Sequence, residues 1–147
     1  MTENSGEEKN PAMALITWTP EQFATNVSVH DQEHQALFER LNKLDSTLAS
    51  GDRGAIGAAL DALIDVVGKH FASEEANMEK TGYSGLAAHK AQHDKLVETC
   101  LDLQKKFHAG AADVTPETTA FVRDWLYNHI PNIDKAYGPH MNGKGIA

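Results

Sequence analysis

The chain has one cysteine, no apolar run long enough to cross a bilayer and no cluster of basic residues, and each shortage removes a class of function. Cys100 alone cannot close an intramolecular disulfide, so a cross-linked secreted scaffold is excluded and a reducing compartment is expected. A membrane span needs about 20 consecutive apolar residues, and none occurs. The start, MTENSGEEKNPAMALITW, also lacks the basic-then-apolar order of a secretory signal, so the expected location is the cytoplasm. Lys and Arg number 13 against 21 Asp and Glu, a net charge of −8 with no basic stripe, which argues against a nucleic-acid partner. No alternating strand pattern competes with what remains.

What remains is helical. At 147 residues, with 41% apolar and 23% charged residues, the chain suits a single all-α domain. Residues 1–12 are polar and acidic and read as a disordered tail, residues 13–138 as the folded domain, and residues 139–147 as a C-terminal tail. The domain opens with an arm carrying Trp18 and Phe23. Apolar residues then recur at steps of three and four in four stretches. The first, about 31–50, carries Leu37, Leu41, Leu44 and Leu48 and stops at Ser50-Gly51. The second, about 53–80, carries Ile56, Leu60, Leu63 and Val67 and stops at Thr81-Gly82. The third, about 85–108, carries Leu86, Leu96, Cys100, Leu103 and Phe107 ahead of Gly110. The fourth begins near Thr115-Pro116, a cap followed by a first-turn proline, and carries Phe121, Val122, Trp125 and Leu126. Short connections between four amphipathic helices imply an antiparallel up-down-up-down bundle.

Histidine placement carries the chemistry. His34, His70, His89, His93 and His129 occupy stripe positions where leucine would be expected. Burying an imidazole nitrogen without a partner costs about 1–3 kcal/mol, so five in one small core require a common partner. In an antiparallel bundle all five, with Glu74, lie at the same end. Leu44, Leu48, Ile56, Leu60, Leu103 and Phe107 fill the other end. His70 with Glu74, and His89 with His93, are spaced i to i+4, which sets each pair on one helix face a turn apart, as metal ligation requires.

The segments DQEH (31–34), HFASEE (70–75), HKAQH (89–93) and WLYNHIPNIDKAY (125–137) resemble the hemerythrins, in particular the bacterial single-domain hemerythrins. The resemblance runs from Trp18 to Tyr137. It implies reversible O2 binding, not catalysis, at an oxo- or hydroxo-bridged pair of iron ions. One ion would take His89, His93 and His129, and the other His34 and His70, with Glu74 and Asp134 bridging. Counted against two octahedral ions sharing an oxygen bridge, this set leaves one position open, on the ion with two histidines. Leu126, Trp125, Phe38 and Phe71 are candidates for the apolar wall that would keep water from the O2 pocket. O2 is the implied ligand, for storage, transport or delivery to an oxygen-consuming enzyme, and the chain is expected to be monomeric and not membrane-embedded.

The HIPNID segment is the one awkward spacing. On a straight helix His129 and Asp134 would diverge by roughly 140°. Pro131 offers no N–H to Tyr127 and disfavours helical geometry at Ile130, so a widened turn or a break with a fresh turn is expected to return Asp134 to the metal-facing side.

His30, four before His34, is a rival ligand that the resemblance disfavours. Glu33, Glu75 and Glu79 read as solvated, and His108 and His140 have no evident partners. Asn77 stands where the family usually has an aliphatic residue and would admit polarity near the pocket; Ser84 follows Tyr83 where proline is common. Two other functions share parts of this pattern. A ferritin-like oxidase would be expected to have more carboxylate than histidine and Glu-x-x-His spacing, a contrast that leaves peroxidase or nitric-oxide chemistry at an exposed site open. A module sensing oxygen, iron or redox state would be expected to carry an output domain, and no such segment is visible.

Overall fold

The computed structural model describes residues 14–147, so the expected disordered tail at 1–12 lies outside the described residues. Its elements are α1 (Pro20–Phe23), α2 (Ser28–Leu48), α3 (Arg53–Lys80), α4 (Leu86–His108), α5 (Pro116–Asn132), a 3-10 turn (Asp134–Ala136) and α6 (Tyr137–Gly143). The fold is all-α, and no strand occurs among the described residues. The four long helices form the expected bundle, with α2 packed on α3 and α5, and α3 on α4.

Each long helix starts and stops for a local reason. Asp52 accepts from the N–H groups of Gly54 and Ala55 at the head of α3. Thr118 accepts from the Thr115 N–H at the head of α5, where Pro116 fills the first turn. Gly51, Gly82 and Gly110, all with positive φ, follow α2, α3 and α4 and allow the chain to turn in the left-handed region. The first long helix begins at Ser28, about one turn earlier than the expected residue 31. Asp31 explains it: its Oδ1 accepts from both the backbone N–H and the hydroxyl of Thr25, at 2.8 Å each, and folds the entry onto the first turn.

The arm docks through one side chain. Asn42 on α2 accepts from the Ile16 N–H at 3.0 Å and donates to the Ile16 carbonyl at 2.8 Å, imitating one step of a strand pairing. Ile16 and Phe23 are thereby buried in the main core with Leu37, Phe38, Leu41, Leu44 and the apolar faces of α3, α4 and α5. Phe121 corrects the expected stripe of the fourth helix: it is 51% exposed, while its neighbour Val122 is buried.

One departure and one choice between expected alternatives lie at the C-terminal end. Residues from 139 do not form a tail; α6 continues to Gly143, and Met141 is fully buried with Val27, Met78 and Tyr137 in a small second core that caps the histidine end of the bundle. Gly138 permits this, because a Cβ there would collide with the Thr25 carbonyl. At HIPNID the second of the two expected forms is found: the helix runs through Pro131 to Asn132 and then breaks into a fresh, tighter turn instead of widening. The Ile133 N–H closes on the His129 carbonyl at 2.8 Å, and the next residue opens the 3-10 turn that turns Asp134 back into the bundle.

Candidate metal centre

At the capped end the imidazole Nε2 atoms of five histidines from four helices converge on two carboxylates. Glu74 and Asp134 are essentially inaccessible to solvent, and the five rings are at most 4% exposed. The contacts divide into two sets. Glu74 Oε2 lies 3.3 Å from His34 Nε2 and 3.3 Å from His70 Nε2, and Asp134 Oδ2 lies 3.0 Å from His34 Nε2. Glu74 Oε1 lies 3.2 Å from His93 Nε2, while Asp134 Oδ1 lies 2.8 Å from His89 Nε2 and 2.9 Å from His129 Nε2. Each carboxylate therefore turns one oxygen to His34 and His70 and the other to His89, His93 and His129.

Close approach without hydrogen bonding is the mark of a cation site. Buried yet without a hydrogen-bond partner are both nitrogens of His34, Nδ1 of His89, Nε2 of His93, Oε1 of Glu74 and both oxygens of Asp134. Each such atom costs about 1–3 kcal/mol in a dry core. Moreover, His89 Nε2 and His129 Nε2 face each other at 3.2 Å, so without a cation one of them must carry a proton. Both sets, the three-histidine set and the two-histidine set, each with Glu74 and Asp134, have ligand atoms close enough to hold a metal ion. Imidazole nitrogen mixed with carboxylate oxygen suits a divalent first-row metal such as iron.

Three outer partners present the rings correctly. His70 Nδ1–H donates to Glu33 Oε1 at 2.8 Å, His93 Nδ1–H to Glu75 Oε2 at 2.9 Å, and His129 Nδ1–H to Gln92 Oε1 at 3.1 Å. A carboxylate or amide oxygen can only accept, so each bond fixes the Nδ1–H tautomer and leaves the Nε2 lone pair facing inward. Glu33 and Glu75 are thus not solvated as expected; they are about three-quarters buried, at 26% and 22% exposure, and hold the rings of His70 and His93. Their alternate placement on the helix hid this, since each neighbours a ligand in sequence and reads as the next, outward residue. Glu79 is exposed as expected.

In the metal-free protein the charges are strongly biased. Burial opposes a charge on Glu74, but the facing histidines outweigh it and hold the carboxyl well below its usual range. Burial and the Glu74 charge likewise oppose ionisation of Asp134, and the close imidazoles of His129, His34 and His89 overcome them and lower its pKa. Burial disfavours a charge on His70, yet Glu74, Glu33 and Asp134 push it up to about 10. His34 is raised against its burial by Asp134 and Glu74, whereas burial prevails at His129 and lowers it.

Tyr137 was not singled out by the sequence pattern, although it ends the quoted WLYNHIPNIDKAY segment. Its hydroxyl donates to Glu74 Oε2, and its ring lies parallel to that of His89 at 5.8 Å. Burial and the adjacent Glu74 and Asp134 charges raise its pKa far above the ordinary phenol value, so it remains a donor. Around the rings, Phe71 stacks on His93 at 3.7 Å and Trp125 on His129 at 4.1 Å. Phe38 and Leu126, each 2% exposed, belong to the same buried apolar cluster.

The remaining histidines find partners elsewhere. His30 is fully buried but turned from the cluster, held between Glu33 at 2.8 Å and Asn77 at 3.0 Å. His108 contacts Asp61 at 2.8 Å, and His140 donates to the Thr81 carbonyl at 2.8 Å. Neither belongs to a metal-competent group. A surface depression of about 680 Å³ between Asp45, Arg53, Phe107 and Asp113 is at the opposite end of the bundle and contains none of these residues. Over the histidine end the opening is smaller, about 310 Å³, bordered by Gln92, Trp125 and His129.

Comparison with known proteins agrees with this geometry. The Hemerythrin HHE cation binding domain matches residues 25–141. Bacteriohemerythrin of Methylococcus capsulatus is 61% identical over 130 residues, covering 88% of this chain and 99% of that one. Myohemerythrin of Riftia pachyptila is 38% identical over 107 residues, covering 73% of this chain and 78% of that one. A solved structure of wild-type hemerythrin aligns with a TM-score of 0.86 at 59% identity, covering 87% of this chain and 98% of that chain.

Proposed function

The chain belongs to the hemerythrin family and is an oxygen-binding protein rather than an enzyme, and we propose that it binds O2 reversibly at two iron ions held by His34, His70, Glu74, His89, His93, His129 and Asp134. The observation that carries the assignment is the division of the two carboxylates. One oxygen of each faces the two-histidine set and the other faces the three-histidine set, the disposition that bridging ligands require.

When bound, the iron pair supplies the electrons that O2 takes up and later returns. The protein's part is to hold that pair and keep water away. Glu33, Glu75 and Gln92 keep three rings in the metal-binding tautomer. Tyr137 neutralises part of the Glu74 charge by hydrogen bonding and holds its carboxylate in place. Phe71 and Trp125 cover the faces of His93 and His129, and Leu126 and Phe38 extend the apolar wall, so few water molecules can deliver protons to the site. A preponderance of histidine over carboxylate distinguishes this donor set from the carboxylate-rich oxidase sites.

No helix of the described residues is long and apolar enough to cross a membrane. We place the protein as a cytoplasmic monomer that stores O2 or passes it to an oxygen-consuming enzyme, with residues from the docked arm to Gly143 as its folded unit. The test is anaerobic reduction followed by O2 titration, monitored by visible absorption and iron analysis. About two irons per chain are expected, with a visible charge-transfer band that appears with O2 and fades on its removal. Zinc without iron, or an irreversible change accompanied by consumption of a reductant, would overturn the assignment.

A further inference from the structure

The outer partners of the ligand rings are unequal, and the inequality traces to His30. His93 has a carboxylate, Glu75, and His129 has a neutral amide, Gln92. His70 also has a carboxylate, but the same oxygen, Glu33 Oε1, lies 2.8 Å from His70 Nδ1 and 2.8 Å from His30 Nδ1. His30 is fully buried and completes its bonding through Asn77, whose Nδ2 lies 3.0 Å from His30 Nε2. An ionised Glu33 can only accept, so His30 donates through Nδ1, and its Nε2 accepts from the Asn77 amide. The chain of bonds is fully directed: Asn77 to His30, His30 to Glu33, His70 to Glu33.

We propose that His30, oriented by Asn77, is a positioning residue that weakens the Glu33–His70 hydrogen bond and so moderates the electron donation of His70 to the metal. Hydrogen bonding of the outer N–H to a carboxylate makes a ligating imidazole a stronger donor. A second N–H on the same carboxylate oxygen spends part of its lone-pair density and lessens that effect. In the two-histidine set His70 is the only ring with such an outer partner, because His34 Nδ1 has none. His30 therefore favours the reduced state of that ion. A hydrophobic residue at 30 would fill the same space without this effect, which separates the role from packing.

The inference rests on the assignment of His70 as a metal ligand, and the experiment separates the two. His30→Leu removes the donor and keeps the bulk, while His30→Asn places an amide N–H near the position of Nδ1. Iron content, the visible spectrum and the reduction potential are measured for both variants and the unmodified protein. His30→Leu is expected to keep its iron and its O2-dependent band, with the ferric state favoured about tenfold more, a potential lower by about 59 mV for one electron. His30→Asn is expected to restore most of the shift. Equal potentials in all three proteins would overturn the inference and leave the metal assignment standing, whereas absence of iron from the unmodified protein would remove both. If His30→Leu does not fold, ¹⁵N-resolved spectra of the unmodified protein loaded with diamagnetic zinc still decide. The Nδ1–H tautomer is expected at His30, and the Nε2–H tautomer would overturn the inference.

Discussion

The Tyr137 hydroxyl donates a 2.5 Å hydrogen bond to Oε2 of Glu74, joining the first residue of α6 to the middle of the histidine–carboxylate cluster. Both groups are fully buried, so no water can replace the bond when it is lost. Tyr137→Phe leaves a buried carboxylate short of a donor at almost unchanged volume. A loss of about 2 kcal/mol is expected, the range for hydrogen bonds to charged groups. Denaturant unfolding of the metal-free protein measures it. A change below about 0.5 kcal/mol would mean that Glu74 is satisfied by another group.

Gly138 makes the same connection possible from the backbone side. A methyl group there meets the Thr25 carbonyl, and neither element can give way easily, since Thr25 is tied to Asp31. Gly138→Ala is expected to cost about 1–3 kcal/mol. Thermal unfolding should fall by several degrees, because about 1 kcal/mol moves a domain of this size by roughly 2–4 °C. Hydrogen exchange should localise the damage to α6 and the Val27, Met78, Tyr137 and Met141 core. Uniform loosening of the whole bundle would contradict the account of α6 as a separately docked cap.

The four long helices and the meeting of five histidines at one end were legible because both follow from a 3.6-residue period and alternating chain direction. Their ends were legible from caps and glycines, to within about one turn. The outer partners were not. Glu33 and Glu75 adjoin His34 and Glu74 in sequence, and period alone assigns them outward; their burial follows from the close approach of α2 to α3 and of α3 to α4. Asn77 appeared as a polar intrusion near the pocket, whereas it is the partner of a buried histidine on another helix. The helix after Tyr137 was hidden for a different reason: Gly138 and Pro139 read as breakers, but the proline falls in the first turn of α6 and the glycine at a close approach. A break near Pro131 was foreseeable; it falls just after Asn132, and its form as a 3-10 turn was one of several that proline permits.

Asn42 offers a test of how the arm is held. Its side chain provides both hydrogen bonds to Ile16, whose own side chain is 2% exposed. Asn42→Ala is expected to cost about 1–2 kcal/mol, two net hydrogen bonds of ordinary strength. Exchange of the Ile16 amide should accelerate while amides in the middle of α3 keep their protection. Unchanged exchange at Ile16 would show that apolar burial alone fixes the arm.

Glu75 and Gln92 perform the same task with different charge, and their substitution should differ accordingly. Glu75→Gln keeps an acceptor for the His93 Nδ1–H but removes the charge, while Gln92→Ala removes a neutral acceptor at the more open edge of His129. Loss of an outer partner typically lowers metal affinity by roughly 10- to 100-fold. The larger fall is expected for Glu75→Gln, measured by chelator competition with ferrous iron under anaerobic conditions. A larger effect at Gln92 would mean that ring orientation outweighs charge at this site.

Leu126 tests the apolar wall. It lies one turn before His129 on α5 and is 2% exposed in the main core. Leu126→Ala removes three buried carbons, and the cavity should destabilise the protein by about 2–5 kcal/mol. Stability alone would not distinguish a core residue from a shield, so the informative quantity is the rate at which the oxygenated protein autoxidises. Shielding predicts a rate increase of about tenfold, equivalent to about 1.4 kcal/mol of barrier, as water reaches the site more often. Leu126→Met supplies the control, since it nearly conserves volume and is expected to cost less than about 1.5 kcal/mol. Its autoxidation should remain close to that of the unmodified protein. If alanine and methionine autoxidise alike while differing in stability, Leu126 is packing and the barrier to water belongs to Phe71 and Trp125, which cover the ligand rings directly.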